Sequence, residues 1–385
     1  MKKTIQVLFI ITSLCFLFMF FAAANREPGR ISAREKRALA DFPTGRFLSS
    51  GYRAAFSAWL EDNIFCRDNL IDLKNFITGR ILQLKPLSDD VAYGRDGWLF
   101  YKLQGNIQIA SGEYRLQESQ LEQIAETQQH ISDRYKQLGK TYVFIIHPSK
   151  TSIYPEYLYG NYTVHESPAD QIYSYLKAHT DVLVVDLKQT LLAHKSDGFL
   201  YYKTDTHWTP LGDYYVYTAI IAALNENGYG DFAAVPAETF QNNFRSTAKG
   251  DLDDMLGNRG RNRRDYTFPD IRFTRHSGEA QSAYQKRVAP LLAEQFPDAP
   301  QTFILENPDA SGNIIIYADS QFAGDKTIVP LLAEHFHESI YVWSPDKQSL
   351  ELAEAAGADI ILYALGERFA NREFLVQLPF TGSRQ

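Results

Sequence analysis

The chain has 385 residues, of which 45% are hydrophobic and 22% are charged, and its net charge is −7 at pH 7. This composition is typical of a globular protein, so it excludes wholesale disorder and a polytopic membrane protein. An acidic chain without a long run of Lys and Arg lacks a surface that could follow a phosphate backbone, which argues against nucleic acid as a partner. Cys15 lies in an apolar N-terminal run and Cys66 lies well beyond it, so no disulfide between them is expected.

The N-terminal run, Thr4 to Ala24, is uncharged over 21 residues and follows Lys2 and Lys3. As a helix it would rise about 31 Å, which is enough to cross the hydrocarbon core of a bilayer. The preceding lysines predict a cytoplasmic N-terminus with the main domain outside, in the periplasm or at the cell surface. The alternative is a cleaved signal peptide, because Ala22–Ala24 offer small residues for a peptidase. The length of the run favours an uncleaved anchor at residues 1–24.

A polar linker is predicted at residues 25–45, followed by one domain at 46–385. Between Ala54 and Ile77 apolar residues near helical spacing predict two short helices. The segment 229–309 lacks an apolar rhythm and predicts an irregular insertion or lid. The buried strands that we predict elsewhere are Tyr142–Ile146, Val182–Val185, Ile314–Tyr317, Ile340–Trp343 and Ile360–Leu365. Helical segments alternate with these strands, which predicts an α/β fold whose mostly parallel sheet is covered on both faces.

One candidate nucleophile follows a predicted strand. The apolar run Ile314 to Tyr317 leads directly into Ala318, Asp319 and Ser320. Ligands of open α/β sheets gather at the carboxyl ends of the strands, so Ser320 would lie in a strand-to-helix turn facing the cleft. The alternative is an ordinary Asp-Ser turn or helix cap.

A candidate acid and base precede the helix predicted at Leu211–Leu224. In the segment KTDTHWTP, residues i and i+2 of an extended chain point the same way, so Asp205 can hold the imidazole of His207. A histidine held by a carboxylate in this way can act as the general base that a serine nucleophile requires. The alternatives are a capping Asp, a surface His, or two zinc ligands. The other histidines lack tight metal spacing, so we expect neither a metal nor another cofactor; they are His147, His165, His179 and His194.

These motifs resemble those of the alginate O-acetyltransferase family, which are SGNH-hydrolase-like proteins, and of the related bacterial DHHW proteins. The resemblance rests on TDTHWTPLG and the later strand-Asp-Ser turn. The segments WLEDNIFCRD, GRDGWLFY and HPSKTSIYPEYL follow the family's order as well. The similarity covers roughly residues 25 to 370, and the Asp-Thr-His-Trp block is its most diagnostic part.

The resemblance implies a three-layer α/β/α fold of the SGNH-hydrolase type and an O-acetyltransferase that acetylates a cell-surface or secreted polysaccharide. It carries the nucleophile onto Ser320, the base onto His207 and the acid onto Asp205. Backbone N–H groups of Ser320 and Gln321 would form the oxyanion hole. The sequence departs from the family's Gly-Asp-Ser pattern at Ala318 and in the residue after the serine.

The resemblance also implies a membrane partner, a multi-span acyltransferase that supplies acetyl groups. We expect the substrate to be contacted by four further residues, Trp208, Lys150, Tyr363 and Arg368. Two other functions use the same residues or fold. An acetyl esterase would transfer the acyl group to water, and a glycan-binding scaffold would have lost the chemistry.

Overall fold

The protein is described by a computed structural model. The described residues are 24, 27–32, 38–44, 46, 49–67, 69, 70, 73, 88 and 90–381, without 159–164, 245–249, 257–265, 281 and 324–327. The predicted anchor at residues 1–24 lies outside them except for Ala24, as does most of the second helix predicted before Ile77. Within the described ranges, no helix combines the length and the apolar composition that a membrane crossing needs.

The helices begin at residues with the expected capping chemistry. Ser167 accepts a hydrogen bond from the N–H of Asp170, and Thr209 accepts one from the N–H of Gly212, in each case just before a proline at the first helical position. The helices are α1 (Ser50–Asn63), α2 (Asn106–Ser111), α3 (Glu118–Gln137), α4 (Lys150–Ile153), α5 (Pro168–His179), α6 (Leu187–Ala193), α7 (Pro210–Glu226), α8 (Asp251–Met255), α9 (Ser282–Gln295), α10 (Ile328–Ala333), α11 (Leu350–Ala355) and α12 (Arg372–Leu375).

The strands form one large sheet and two small ones. They are β1 (Val91–Tyr93), β2 (Leu99–Tyr101), β3 (Thr141–His147), β4 (Leu183–Val184), β5 (Glu238–Phe244), β6 (Tyr266–Arg272), β7 (Gly278–Glu279), β8 (Thr302–Glu306), β9 (Asn313–Ala318), β10 (Glu338–Trp343) and β11 (Ile360–Gly366). The seven-stranded sheet has the order β4-β3-β11-β9-β10-β8-β7. The predicted strands are confirmed by β3, β4, β9, β10 and β11, although the two residues of β4 are half-buried.

The chain divides into two compact units. The smaller unit comprises residues 1–91 and 246–263, and in it the side chain of Asn63 donates to the carbonyls of Ala40 and Trp59. The larger unit comprises residues 92–245 and 264–385 and contains the large sheet.

Helices cover both faces of the large sheet, as expected. Alternate residues of β3 point to opposite faces, so Val143 and Ile145 join a core with α6, α7 and α10, while Phe144 joins a second core with α3, α5 and α11. Central strands buried on both faces are apolar at nearly every position, and this is why the sequence identified them.

The sheet is mostly parallel, as predicted, and is mixed only at one edge, where β8 pairs antiparallel with both β10 and β7. One prediction is corrected. The segment 229–309, predicted to be irregular, contains these edge strands and an antiparallel ribbon of β5 and β6. Most residues of β5 are polar and exposed, so the strand lacks the apolar run by which strands were recognised. Its backbone is nevertheless paired along the whole of β6.

Candidate active site

Three neighbouring parallel strands bring polar residues to one edge of the sheet. β3 ends at His147, β11 ends at Gly366, and β9 ends at Ala318, directly before Asp319 and Ser320. The register pairs Gly366 with His147 and sets Ala364 against Ala318, so the three strands end close together. This is the carboxyl edge at which open α/β sheets bind ligands.

Asp205 and His207 form a close pair on the loop before α7. His207 Nδ1 lies 2.6 Å from Asp205 Oδ1, and the same oxygen accepts from the backbone N–H of His207 at 3.0 Å. The loop is closed at its base by an antiparallel bridge between Tyr201 and Trp208. Asp205 is buried and the His207 side chain is one-third exposed. An imidazole held by a carboxylate and still partly accessible has the arrangement of a general base.

The loop and the turn after β9 meet through aromatic rings. The Trp208 ring centroid lies 5.8 Å from that of Phe322, and His147 contacts both, at 5.3 Å and 6.2 Å. A cavity of about 40 Å³ beside them is lined by Thr206 and Gln321, the neighbours of His207 and Ser320. The structure therefore brings the two predicted segments to one place.

Ser320 lies in the turn after β9 and is half-buried. Its backbone carbonyl accepts from the N–H of Ala323 at 3.1 Å. Within the described part of the chain its hydroxyl makes no hydrogen bond, including to His207. The backbone N–H of Gln321, predicted to serve the oxyanion hole, donates instead to Asp319 Oδ1 at 3.0 Å. In this state the N–H of Gln321 is thus already engaged, because Asp319 forms a turn with its own backbone.

Asp319 is the anchor of this turn. Its Oδ1 lies 3.0 Å from His147 Nε2, and its Oδ2 accepts from the N–H of Gly366 at 3.1 Å and lies 3.4 Å from Arg368 Nη2. Burial alone would raise the pKa of Asp319, but His147, Arg368 and the N–H of Gln321 outweigh it and hold this pKa far below its ordinary value. A Cβ at position 366 would approach Asp319 Oδ2 to 2.9 Å, so a side chain there would displace the carboxylate from the N–H of Gly366.

Two of the predicted substrate contacts are corrected. Trp208 is 2% exposed and packs between Tyr201 and Phe322, so the indole has no free face for a sugar. Tyr363 is 4% exposed, lies on β11 in the core that includes Phe144, and donates its hydroxyl to the carbonyl of Pro345. Both side chains pack in the interior of the protein. Tyr363 lies in the buried strand β11, and Trp208 lies in the bridge with Tyr201.

The other two predicted contacts have different surroundings. Arg368 lines the cavity and remains one-quarter exposed beside Asp319, so its substrate contact stays a prediction. Lys150 also lines the cavity but is 5% exposed, and its ammonium donates to the carbonyls of Tyr202, Lys203 and Asp205. Hydrogen bonds to the backbone occupy this ammonium.

Sequence reasoning missed the roles of His147 and Asp319. From the sequence, His147 is only one of the histidines that lack tight metal spacing, and Asp319 is only the residue before Ser320. A signal for His147 was available, because it follows the apolar run YVFII at the carboxyl end of a strand. Its partner could not be found, because 172 positions along the chain separate the two residues.

Comparisons with known proteins identify the family of the chain. A family model described as the SGNH hydrolase-like domain of the acetyltransferase AlgX matches residues 91–297. The matched range contains Asp205 and His207 and ends before Ser320.

Among curated proteins, the chain is similar to the probable alginate O-acetylase AlgJ of two Pseudomonas species. It is 30% identical to the P. syringae protein over 144 residues, which are 37% of this chain and 33% of that protein. It is also 30% identical to the P. putida protein over 196 residues, which are 48% of this chain and 45% of that protein. The chain thus spans less than half the length of these relatives.

Among solved structures, the O-acetyltransferase domain of P. putida AlgJ aligns with a TM-score of 0.48 at 18% identity, covering 75% of this chain and 98% of that one. The family match is the finding that decides the assignment, because it extends over more than half of the sequence. The chain belongs to the family of SGNH hydrolase-like domains of the acetyltransferase AlgX.

Proposed function

We propose that this protein is a polysaccharide O-acetyltransferase in which Ser320 is the nucleophile, His207 the general base and Asp205 the residue that orients it. The observation that carries the proposal is the 2.6 Å contact between His207 Nδ1 and Asp205 Oδ1, on a loop that meets the Ser320 turn. The names of the relatives, alginate O-acetylases, support acetyl transfer to a polysaccharide.

The reaction has two acyl-transfer steps. His207 takes the proton of the Ser320 hydroxyl, whose oxygen attacks the acetyl carbonyl of the donor. The imidazolium then returns the proton to the leaving group as its bond to the acetyl carbon breaks. In the second step His207 takes the proton of a sugar hydroxyl, which attacks the acetyl-serine, and Ser320 recovers its proton. Asp205 accepts a hydrogen bond from Nδ1 throughout and stabilises the imidazolium.

The backbone N–H of Ser320 is the remaining proposed donor for the oxyanion, since the N–H of Gln321 is engaged by Asp319. For Gln321 to contribute, its N–H would have to leave Asp319 when the acyl donor binds.

The first test is detection of the acyl-enzyme. The protein is incubated with 4-nitrophenyl acetate and its intact mass is measured; we expect one acetyl adduct, mapped to Ser320 by peptide sequencing. Ser320→Ala should form none, whereas Ser196→Ala, which removes an exposed serine, should behave as wild type. An adduct on another residue, or activity lost on treatment with a chelator, would contradict the proposed mechanism.

The same preparation separates transfer from hydrolysis. Acetylated oligosaccharide, detected by mass spectrometry when an acidic oligosaccharide is added, supports a transferase. Release of acetate alone would identify an esterase. Glycan binding without either reaction would identify a scaffold.

We also propose that residues 1–24 anchor the protein and that its main domain is extracytoplasmic, where a multi-span membrane acyltransferase supplies acetyl groups. The support is the uncharged run after Lys2 and Lys3. Protease added to intact spheroplasts should remove the main domain. Its protection, with a cytoplasmic control protein also intact, would contradict this localisation.

A further inference from the structure

The segment from His147 to Lys150 joins the end of β3 to the start of α4. Both terminal side chains are polar, yet His147 is 4% and Lys150 is 5% exposed. Burying an ammonium or an imidazole is costly unless hydrogen bonds replace those lost to water. The hydrogen-bond partners of these two side chains therefore indicate the function of this segment.

Lys150 holds the loop that carries the base. Its Nζ donates to the carbonyl oxygens of Tyr202, Lys203 and Asp205, at 3.0, 3.1 and 2.7 Å. An ammonium has three N–H donors, and these three carbonyls match that number. Because the three oxygens belong to residues just before His207, one cation fixes the path of the backbone that presents the Asp205–His207 pair.

The Lys150 ammonium is also enclosed on its apolar side. It lies 5.6 Å from the ring centroid of Trp98 and 5.5 Å from that of Phe100, both fully buried. Cation–π contacts of this kind stabilise a cation that has left water. β2 is tied to the same loop, since the N–H of Leu99 donates to the carbonyl of Lys203 at 2.8 Å.

His147, three residues earlier, holds the other half of the site. Its Nε2 lies 3.0 Å from Asp319 Oδ1, the carboxylate that also binds the N–H of Gln321. The residue between Asp319 and Gln321 is Ser320, so the turn that carries the proposed nucleophile is fixed on both sides. His147 and Lys150 lie at the two ends of four consecutive residues. Between them, the N–H of Ser149 donates to Oε2 of Glu367, the residue directly after β11, at 2.9 Å.

We propose that the His147–Lys150 segment is a positioning element that sets the Ser320 turn and the Asp205–His207 loop relative to each other. The inference rests on the proposed function only for its kinetic consequence. Lys150 and His147 are positioning residues that act through backbone carbonyls and through Asp319. A displacement of about 1 Å between nucleophile and base can reduce a rate about 10²-fold, which is the effect that these contacts prevent.

The decisive variant is Lys150→Met, with Lys188→Met as matched control. Lys188 is another largely buried lysine of the larger unit, paired with Asp170 at 2.6 Å on a different part of the surface. We expect Lys150→Met to lower kcat for acetyl transfer about 10²-fold with little change in KM, and Lys188→Met to retain wild-type kinetics. If Lys150→Met does not fold by circular dichroism, Lys150→Arg replaces it, because a planar guanidinium cannot present three N–H groups to the same three carbonyls.

A second readout does not need activity. A ring N–H that is hydrogen-bonded to a carboxylate at 2.6 Å gives a far-downfield proton resonance, which reports the Asp205–His207 contact. We expect this resonance to shift or disappear in folded Lys150→Met and to persist in Lys188→Met. If the wild type proves inactive, the proposed function fails while this comparison still decides the inference. An unchanged resonance together with wild-type kcat in folded Lys150→Met would overturn it.

The other end of the segment is tested by graded replacement of His147. His147→Gln keeps an N–H donor for Asp319, whereas His147→Phe keeps only ring volume. The rate at which phenylmethanesulfonyl fluoride labels Ser320 should fall more in His147→Phe than in His147→Gln. Equal rates in both variants and the wild type, with the fold intact, would show that this contact does not position the nucleophile.

Discussion

Replacement of Ser320 by Ala should abolish acyl-enzyme formation, and replacement of Ser320 or His207 by Ala should reduce acetyl transfer by about 10⁴-fold or more. This is the loss typical of enzymes whose nucleophile and base act together. Asp205→Ala should leave a slow reaction, because the imidazole remains although its tautomer and orientation are no longer fixed. The measurement is initial-rate kinetics with 4-nitrophenyl acetate and an oligosaccharide acceptor.

The losses should not add. If the three residues act as one unit, the double variant Ser320→Ala/His207→Ala should be no slower than the slower single variant. Thermal unfolding of each variant controls for the fold. A Ser320→Ala protein that acetylates at the parental rate would require a different nucleophile or a metal-activated water.

Replacement of Asp319 by Ala should cost about 3–5 kcal/mol of unfolding free energy, the range for removing one partner of a buried ion pair. The variant leaves the imidazole of buried His147 and two backbone N–H groups, those of Gly366 and Gln321, without the carboxylate that they contact. Denaturant titration measures the loss. The matched control is Asp197→Ala, which breaks a pair with His194 at 2.9 Å whose two side chains are 43% exposed. Its effect should be far smaller, since exposed pairs contribute little.

The Asp319 pair should also make stability depend on pH. The pKa of Asp319 is depressed in the folded protein, whereas in the unfolded chain it is near the ordinary value of about 3.9. The carboxylate therefore contributes its full stability above the unfolded pKa, and the contribution is lost as pH falls below it. Asp319→Asn cannot titrate, so its unfolding free energy should fall less steeply between about pH 5 and pH 2. Parallel curves for wild type and variant would contradict this assignment.

Much of the fold follows from the sequence because its central strands are buried on both faces. The runs that became β3, β9 and β11 are apolar at nearly every position, and burial in a parallel sheet is what requires this composition. The antiparallel edge of the sheet and the β5–β6 ribbon could not be predicted from the sequence. β5 and β7 in particular are exposed at most positions and carry polar residues or glycine, so backbone pairing defines them rather than an apolar run.

The same distinction holds for the site. Asp205 and His207 are two positions apart, so an extended backbone brings them together and the sequence alone predicts their contact. The burial of Tyr363 is implied by the apolar run of β11, whereas that of Trp208 depends on how its loop packs against Tyr201 and Phe322, which its own segment does not encode. The contacts of His147 with Asp319 and of Lys150 with three carbonyls join residues 172 and 52–55 positions apart. Only the strand order, which sets β3 two places from β9, brings such residues together, because local propensity carries no information about distant partners.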